Sequence, residues 1–455
     1  MQPREPSPAV GPEVADAARA QLASELRHRS RALSRSVQQA FAVVPRHLFV
    51  PEVGPAAAYR DEAFVIKCGQ DGLPVSSSSQ PAMMAIMLGQ LGLRPGHRVL
   101  EIGTGSGYNA AVMAAVVGPA GEVVSVDIDP ELVVRARSSL AAAGYADVTV
   151  ICADGGFAVP GHGPFDRVIV TAGAWDIAPA WLDQIGAGGL LVLPLSVRGI
   201  QLSLALQRDD AGDWRSTSAW RCGFVRMLGA FAGPETVVRL PEPTVLVAQI
   251  SDGRAVNPHA LQAALAGQPS AKQDLPPLQG LAELADLDLW LAMTAVGLDR
   301  VTVLSAGSWF PLAPLLPAGF LVSHALEASG LGAAALLPDG LDEDPRHAGD
   351  PGHAGEPGHA GEPGHAGEPG RAGDRDSGRA ARRPGPAIRG FGPDGPALVG
   401  HLAGLARRWV ELGRPDAQGL ELIVRPASQA SAGAPPAGRL VLHRPSVSIE
   451  LGWPA

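Results

Sequence analysis

The run Val99-Leu-Glu-Ile-Gly-Thr-Gly-Ser-Gly107 constrains this chain more than any other segment. Its branched start reads as a buried strand, and the alternate glycines that follow let the backbone turn sharply and lie against a ligand. Asn109 then opens a helical stretch that runs to Val117. The rhythm continues downstream, with apolar runs at 99–102, 123–126, 148–151, 168–170 and 190–193 separated by helical stretches. Such runs indicate strands buried on both faces of a parallel sheet, so the expected fold is a doubly wound, Rossmann-like α/β domain.

The chain has 455 residues, too many for one compact core at about 100–200 residues per domain. Helical spacing over 13–41 predicts one or two amphipathic helices ahead of the sheet. Residues 201–206 and 214–224 read as a hairpin around the turn Asp209-Asp-Ala-Gly-Asp213. The first domain is therefore expected to span 1–240. A smaller α+β domain, 241–455, is expected to hold helices near 278–294 and 396–412, apolar runs at 301–304 and 320–322, and a strand pair at 420–424 and 440–443. Within it, the repeat that begins His347-Ala-Gly-Asp-Pro-Gly352 and recurs at His353, His359 and His365 lacks apolar residues. It reads as a disordered insertion over 341–386 rather than a metal site.

A net charge of −9 argues against a nucleic-acid partner, which needs a concentrated basic surface. Cys68, Cys152 and Cys222 are widely spaced and odd in number, as reduced thiols are. The start carries no basic-then-apolar signal, and no apolar run approaches the roughly 18 residues of a membrane span. A cytoplasmic protein, with no membrane partner and no bound metal, is the expectation.

Dinucleotide enzymes favour Gly-x-Gly-x-x-Gly, whereas here the glycines alternate and follow Glu101. S-adenosylmethionine carries a sulfonium and an ammonium but no phosphate, so an acid at the strand end suits it. Asp127 ends the next strand, 26 residues on, where an acid can hold ribose hydroxyls, and Ile128 can cover an adenine face. Asp154 and Gly155 follow the third strand, where a carboxylate can accept the adenine amino proton. The predicted cofactor residues are Ser77, Glu101, Gly103, Thr104, Gly105, Ser106, Gly107, Asp127, Ile128, Asp154 and Gly155.

Further segments carry a family resemblance: Val44-Pro-Arg-His-Leu-Phe-Val-Pro51, Ala58-Tyr-Arg-Asp61, Ser79-Gln-Pro81, the glycine loop with Tyr108, Ala153-Asp-Gly155 and Phe165-Asp-Arg-Val-Ile-Val-Thr171. In order and spacing they resemble the protein-L-isoaspartate O-methyltransferases over roughly the first half of the chain. The resemblance implies the seven-stranded sheet of class I methyltransferases and a carboxyl O-methyltransferase that uses S-adenosylmethionine. Its family's active-site serine, in Thr-Ile-Ser-x-Pro, falls on Ser79, and the preceding pair becomes Ser77-Ser78. Ser79 and Ser78 are thus the implied catalytic residues. The tract Ser76–Ser79 and the extra C-terminal domain, with Asp286-Leu-Asp-Leu-Trp-Leu291, look like variants associated with ribosomally made, modified peptides.

A carboxylate is already ionised at neutral pH, so methyl transfer to it needs alignment and desolvation rather than a strong base. The ester product is a better leaving group, and the adjacent backbone nitrogen can displace it to close a succinimide. Isoaspartyl repair and deliberate modification of an aspartyl peptide share this chemistry. Two readings of other classes stand beside it: a binding protein without turnover, and a nicotinamide oxidoreductase. His47 reads as a structural histidine, and Trp175, Trp181, Trp214 and Trp220 as core. Arg379, Arg382 and Arg383 read as the solvated edge of the insertion.

Overall fold

The computed structural model describes residues 12–29, 33–239, 246–250, 257–259, 262–263, 268–275, 277–278, 281–295, 298–305, 318–323, 333–337, 387–392, 394–429 and 438–454. The histidine repeat and Arg379, Arg382 and Arg383 lie outside these residues. Helices α1 (Pro12–Arg29) and α2 (Arg35–Val43) precede the sheet, and the Ser34 hydroxyl caps α2 by accepting from the Val37 amide. A hairpin of β1 (Phe64–Cys68) and β2 (Pro74–Ser78) follows, then α3 (Pro81–Leu91).

Strands β3 (Arg98–Ile102), β4 (Glu122–Asp127), β5 (Thr149–Cys152), β6 (Phe165–Val170) and β7 (Ile185–Val197) form a parallel core in the order β5-β4-β3-β6-β7. Helices α4 (Tyr108–Val117), α5 (Pro130–Ala142) and α6 (Pro179–Asp183) make the crossovers. Alternation along each strand feeds two cores: Val99, Val123 and Val150 face one cluster with α1 to α5, while Leu100, Val124 and Val168 face another with Trp181. This is the two-sided burial that the unbroken apolar runs imply.

The expected hairpin is present as β8 (Ile200–Arg208) and β9 (Trp214–Cys222), antiparallel to their neighbours and joined through Asp209–Asp213. These complete seven strands, but the sheet has ten. Strands β17 (Glu421–Pro426), β18 (Arg439–His443) and β19 (Val447–Gly452) continue it in the order β18-β19-β17-β9. The expected pairing of 420–424 with 440–443 is not made; β19 lies between the two, because the chain returns for one further strand. The junction is covalently remote yet tight. Val424 pairs with Trp214, the Leu422 amide donates to Ser216 Oγ at 2.8 Å, and Arg425 bridges Asp213 at 2.8 Å and Glu450 at 3.2 Å.

A second, antiparallel sheet has the order β10-β11-β13-β14-β15-β16-β12, from β10 (Thr236–Arg239), β11 (Leu246–Ile250), β12 (Ala271–Asp274), β13 (Leu298–Ser305), β14 (Ala318–Ser323), β15 (Ala333–Leu337) and β16 (Ala387–Phe391). Helices α7 (Leu281–Thr294) and α8 (Gly395–Glu411) pack together through Leu287, Trp290, Leu402 and Trp409. The segment Asp286–Leu291 docks α7 on the first sheet: Asp288 pairs with Arg221 at 3.0 Å, and Leu289 joins that sheet's core. No helix among the described residues is long and apolar enough to cross a membrane.

One buried side chain ties the segments ahead of the sheet together. Arg46 donates through Nη1 to the carbonyls of Ala58 (2.8 Å) and Arg60 (3.0 Å), and through Nη2 to those of Glu62 (2.9 Å) and Ser79 (2.9 Å). Its guanidinium lies 5.0 Å from the Phe64 ring centroid and 5.6 Å from that of Tyr108. Burial lowers its pKa to about 10, so it is charged at neutral pH. A lysine there has three donors for four carbonyls and no planar face to stack. Arg46→Lys is therefore expected to lower the unfolding free energy by about 3 kcal/mol in urea titrations. A loss below about 1 kcal/mol would show that the four carbonyls find other donors.

Candidate active site

The carboxyl end of the parallel strands opens into a cleft of about 1020 Å³, part of it open to solvent. Its floor is the glycine loop. Gly103 has φ +103°, and a Cβ there would lie 2.6 Å from Thr171 Oγ1, whose hydroxyl donates to the Gly103 carbonyl at 2.7 Å. Gly105, φ +52°, faces Ser77, whose carbonyl would sit 3.3 Å from an added Cβ. Two chain segments thus approach closer than any larger residue allows. The serine tract lies over the glycine loop as the end of β2.

Of the residues expected to hold a cofactor, Ser77, Glu101, Gly103, Thr104, Gly105, Ser106, Asp127, Ile128 and Gly155 line this cleft, with Ser78 and Ser79. Glu101 is fully buried; its Oε1 accepts from Asn109 Nδ2 at 2.8 Å and its Oε2 from Ser125 Oγ at 2.5 Å. Burial pushes its pKa up to about 7, against those two hydrogen bonds and with the nearby Asp127 charge. Asp127 accepts the Gly105 amide at 2.9 Å on Oδ2 and the Asp129 amide at 3.0 Å on Oδ1, and burial raises its pKa too. Ile128 is 39% exposed, leaving an apolar face toward the cleft.

Two predicted residues sit outside the lining. Gly107 caps α4 and packs on Ala136 and Leu140, so it shapes the loop from behind. Asp154 holds its own loop through the Gly156 amide (2.9 Å) and reaches across to the Ala230 amide (2.7 Å). It ties down a strap, 224–228, that forms the far wall of the cleft.

Several residues of the site carried no assigned role in the sequence. Asn109 leaves Oδ1 buried without a partner in the cleft, as Tyr108 does its Oη; Ser78, already an implied catalytic residue, has its Oγ likewise buried and unpartnered. Arg226 is the sole cationic residue among those lining the cleft. Asn109 was legible in principle, since it opens the helix that the glycine loop feeds. Arg226 was not, because contacts remote in sequence, among them the parallel bridge between Gly173 and Arg226, bring the strap to the site. His47 shares a 2.8 Å hydrogen bond with the Tyr59 hydroxyl, a structural pairing. Trp181 and Trp214 are core, Trp175 is half-buried and Trp220 is 39% exposed.

Lys67 latches the β1–β2 hairpin to the start of α5, 2.6 Å from both Asp129 Oδ2 and Glu131 Oε2. Among the described residues no cluster of three or more His, Cys, Asp or Glu could hold a metal ion.

A family model described as protein-L-isoaspartate(D-aspartate) O-methyltransferase (PCMT) matches residues 17–231. Protein-L-isoaspartate O-methyltransferase 2 of Archaeoglobus fulgidus is 40% identical over 216 residues, covering 48% of this chain and 95% of the relative. Protein-L-isoaspartate O-methyltransferase of Methanopyrus kandleri is 40% identical over 222 residues, 48% of this chain and 96% of its own. Protein-L-isoaspartate O-methyltransferase 2 of Rhodopseudomonas palustris is 44% identical over 191 residues, 41% and 83% of the two chains. With almost the whole of such relatives contained in its first half, and the serine tract and glycine loop brought together in one cleft, the chain belongs to the protein-L-isoaspartate O-methyltransferase family and is a methyltransferase extended at its C-terminal end.

Proposed function

We propose that this protein uses S-adenosylmethionine to methylate the carboxylate of isoaspartyl or aspartyl residues in peptides, and that its substrate is a dedicated ribosomally made precursor peptide. The observation that supports the reading best is the pairing of unpartnered buried oxygens in one cleft. Asn109 Oδ1 has acceptor capacity with no donor, as an ammonium requires, and Ser78 Oγ has a donor with no acceptor, as a carboxylate requires. The residues that fit the cofactor are Glu101 and Asn109 for its ammonium end, Asp127 for ribose hydroxyls, Ile128 and Gly155 for the adenine, and Ser77 with Gly103 to Ser106 along its length. Asp154 supports the adenine end through the strap it holds.

Bound there, S-adenosylmethionine supplies a methyl group activated by a cationic sulfonium. The chain's own residues then have limited work. Ser79 and Ser78 orient the substrate carboxylate by donating to it, and Arg226 offers the one positive charge of the wall. The apolar wall of Met84, Met87, Ile169 and Phe224 excludes water, which otherwise stabilises the anion and blunts its attack. No proton is removed, because the carboxylate is ionised, and the cleft lining holds no histidine or lysine to remove one.

The preference for a dedicated peptide over general repair is supported by the serine tract in place of the family's Thr-Ile and by the C-terminal extension beyond the family match at 231. Incubation with labelled S-adenosylmethionine separates the two: the peptide encoded beside the gene is expected to be labelled at least tenfold faster than a generic isoaspartyl peptide. Equal rates would favour repair, and labelling of neither would overturn both.

Ser79→Ala is expected to lower kcat/KM by about 10- to 100-fold, the value of a hydrogen bond to a charged group, while S-adenosylhomocysteine affinity changes less than about threefold. An unaltered kcat/KM would remove Ser79 from the site.

Glu101 gives a second test. Its folded-state pKa, about 7, lies above the ordinary value of 4.5, so the folded protein keeps a proton that the unfolded chain releases. Stability is full below pH 4.5 and falls as pH rises to about 7. Relative to Glu101→Gln, the ligand-free wild type should lose about 3 kcal/mol between pH 4 and 8 in denaturation curves, and the variant should bind S-adenosylhomocysteine more weakly. Parallel stability curves for the two proteins would contradict the buried, proton-bearing carboxyl.

A further inference from the structure

The turn between β18 and β19 lies against the loop that leaves β6. The Arg444 guanidinium carbon is 3.9 Å from the centroid of the Trp175 ring, and Nη2 donates to the Ser196 carbonyl at 3.3 Å. Ser446 donates its amide to Asp176 Oδ2 at 2.9 Å, and the other oxygen of that buried carboxylate accepts the Ile177 amide at 2.8 Å. The same loop begins with Thr171 and Ala172, which line the cleft.

From this turn, contacts run to both sides of the reaction space. Gly173, two residues before Trp175, donates its amide to the Val225 carbonyl at 2.8 Å, and its carbonyl accepts the Met227 amide at 3.0 Å. Ser196 donates its hydroxyl to Glu235 Oε1 at 2.7 Å, and the Glu235 carbonyl accepts Arg226 Nη1 at 2.6 Å. A Cβ on Gly233 would lie 2.5 Å from the Trp175 Cβ, so the chain leaving the strap packs directly on the residue that Arg444 covers. Arg444 is charged at neutral pH even though burial lowers its pKa to about 10, and Asp176 and Glu235 are the acids that oppose the lowering.

We propose that Arg444 is a positioning residue for methyl transfer: stacked on Trp175 and bonded to Ser196, it holds the 171–177 loop and the 224–228 strap at the spacing the substrate carboxylate needs. The region matched by the family ends at residue 231, so this support comes from the extension, and the extension acts on the wall that faces the substrate. The kinetic part of the proposal rests on the function proposed above; the structural part does not.

The test uses the full-length protein and three variants. Arg444→Ala removes the contact. Arg444→Lys keeps the cation over the ring but not the planar guanidinium face. Arg439→Ala, on the same hairpin, removes ion pairs to Glu421 and Glu450 far from the wall and controls for loosening of the extension. Hydrogen exchange is read over 171–177 and 224–228. Arg444→Ala is expected to raise exchange about tenfold in both segments, Arg444→Lys by less, and Arg439→Ala in neither. With the methyl-accepting peptide, Arg444→Ala should raise KM about tenfold with kcat within about threefold, partly restored by lysine. Unchanged exchange in Arg444→Ala, or the same change in Arg439→Ala, overturns the proposal. Loss of the exchange pattern with unchanged kinetics overturns its catalytic part. A wild type that labels no aspartyl or isoaspartyl peptide overturns the functional reading, and the exchange result still decides the structural one.

Discussion

The cleft depends on the buried guanidinium of Arg46. Its four acceptors come from 58–62 and from Ser79, segments that make no regular sheet with one another. Backbone carbonyls buried in irregular structure need donors, and one planar cation supplies four of them at fixed angles. Because Ser79 is held through its carbonyl, its side chain is left free for the cleft. Asp61 secures the next residues, accepting the Ala82 amide at 2.8 Å and Gln80 Nε2 at 3.1 Å, so α3 starts at a set distance from the serine tract. The interactions that stabilise this corner of the fold also fix where the serine tract meets the cleft.

Opposite that corner, the glycine loop and the strand-end acids are held in a different way. Glu101 is buried with two donors and an elevated pKa, an arrangement that costs stability as long as no cation is near. A positive group close by would favour the ionised form of this carboxylate. Asp127, by contrast, accepts two backbone amides on its carboxylate. Two acids on adjacent strands thus sit in different electrostatic surroundings.

The extension is part of the sheet as well as an attachment beside it. Strands β17 to β19 prolong the sheet past β9, and Leu422, Val424, Ile449 and Leu451 share a core with Leu191 and Leu204. An antiparallel strand such as β9 would otherwise present an open edge, and covering it removes a site for unwanted pairing. The second sheet then sits in the chain between β9 and β17, so the 198 intervening residues, 223–420, form an excursion between two neighbouring strands.

By itself the sequence determined the parallel core, its turn chemistry and many of the residues that line the cleft. Those features are local: an unbroken apolar run means a strand covered on both faces, and alternate glycines after a strand end in only a few backbone paths. Glu101, Asp127 and Ile128 were readable for the same reason, each lying within a few residues of a recognisable strand end, whereas Ser77 to Ser79 came from the family resemblance. Tertiary structure decided the rest. Nothing near Val424 announces Trp214 as its partner, and nothing near Arg444 announces Trp175, since those contacts span more than 200 residues of chain. Asp154 was expected to face the adenine, yet its carboxylate reaches the strap, because the chain after β9 folds back over it. Pairing across a sheet edge and packing of a distant turn carry no periodicity of their own, so only the folded chain could assign them.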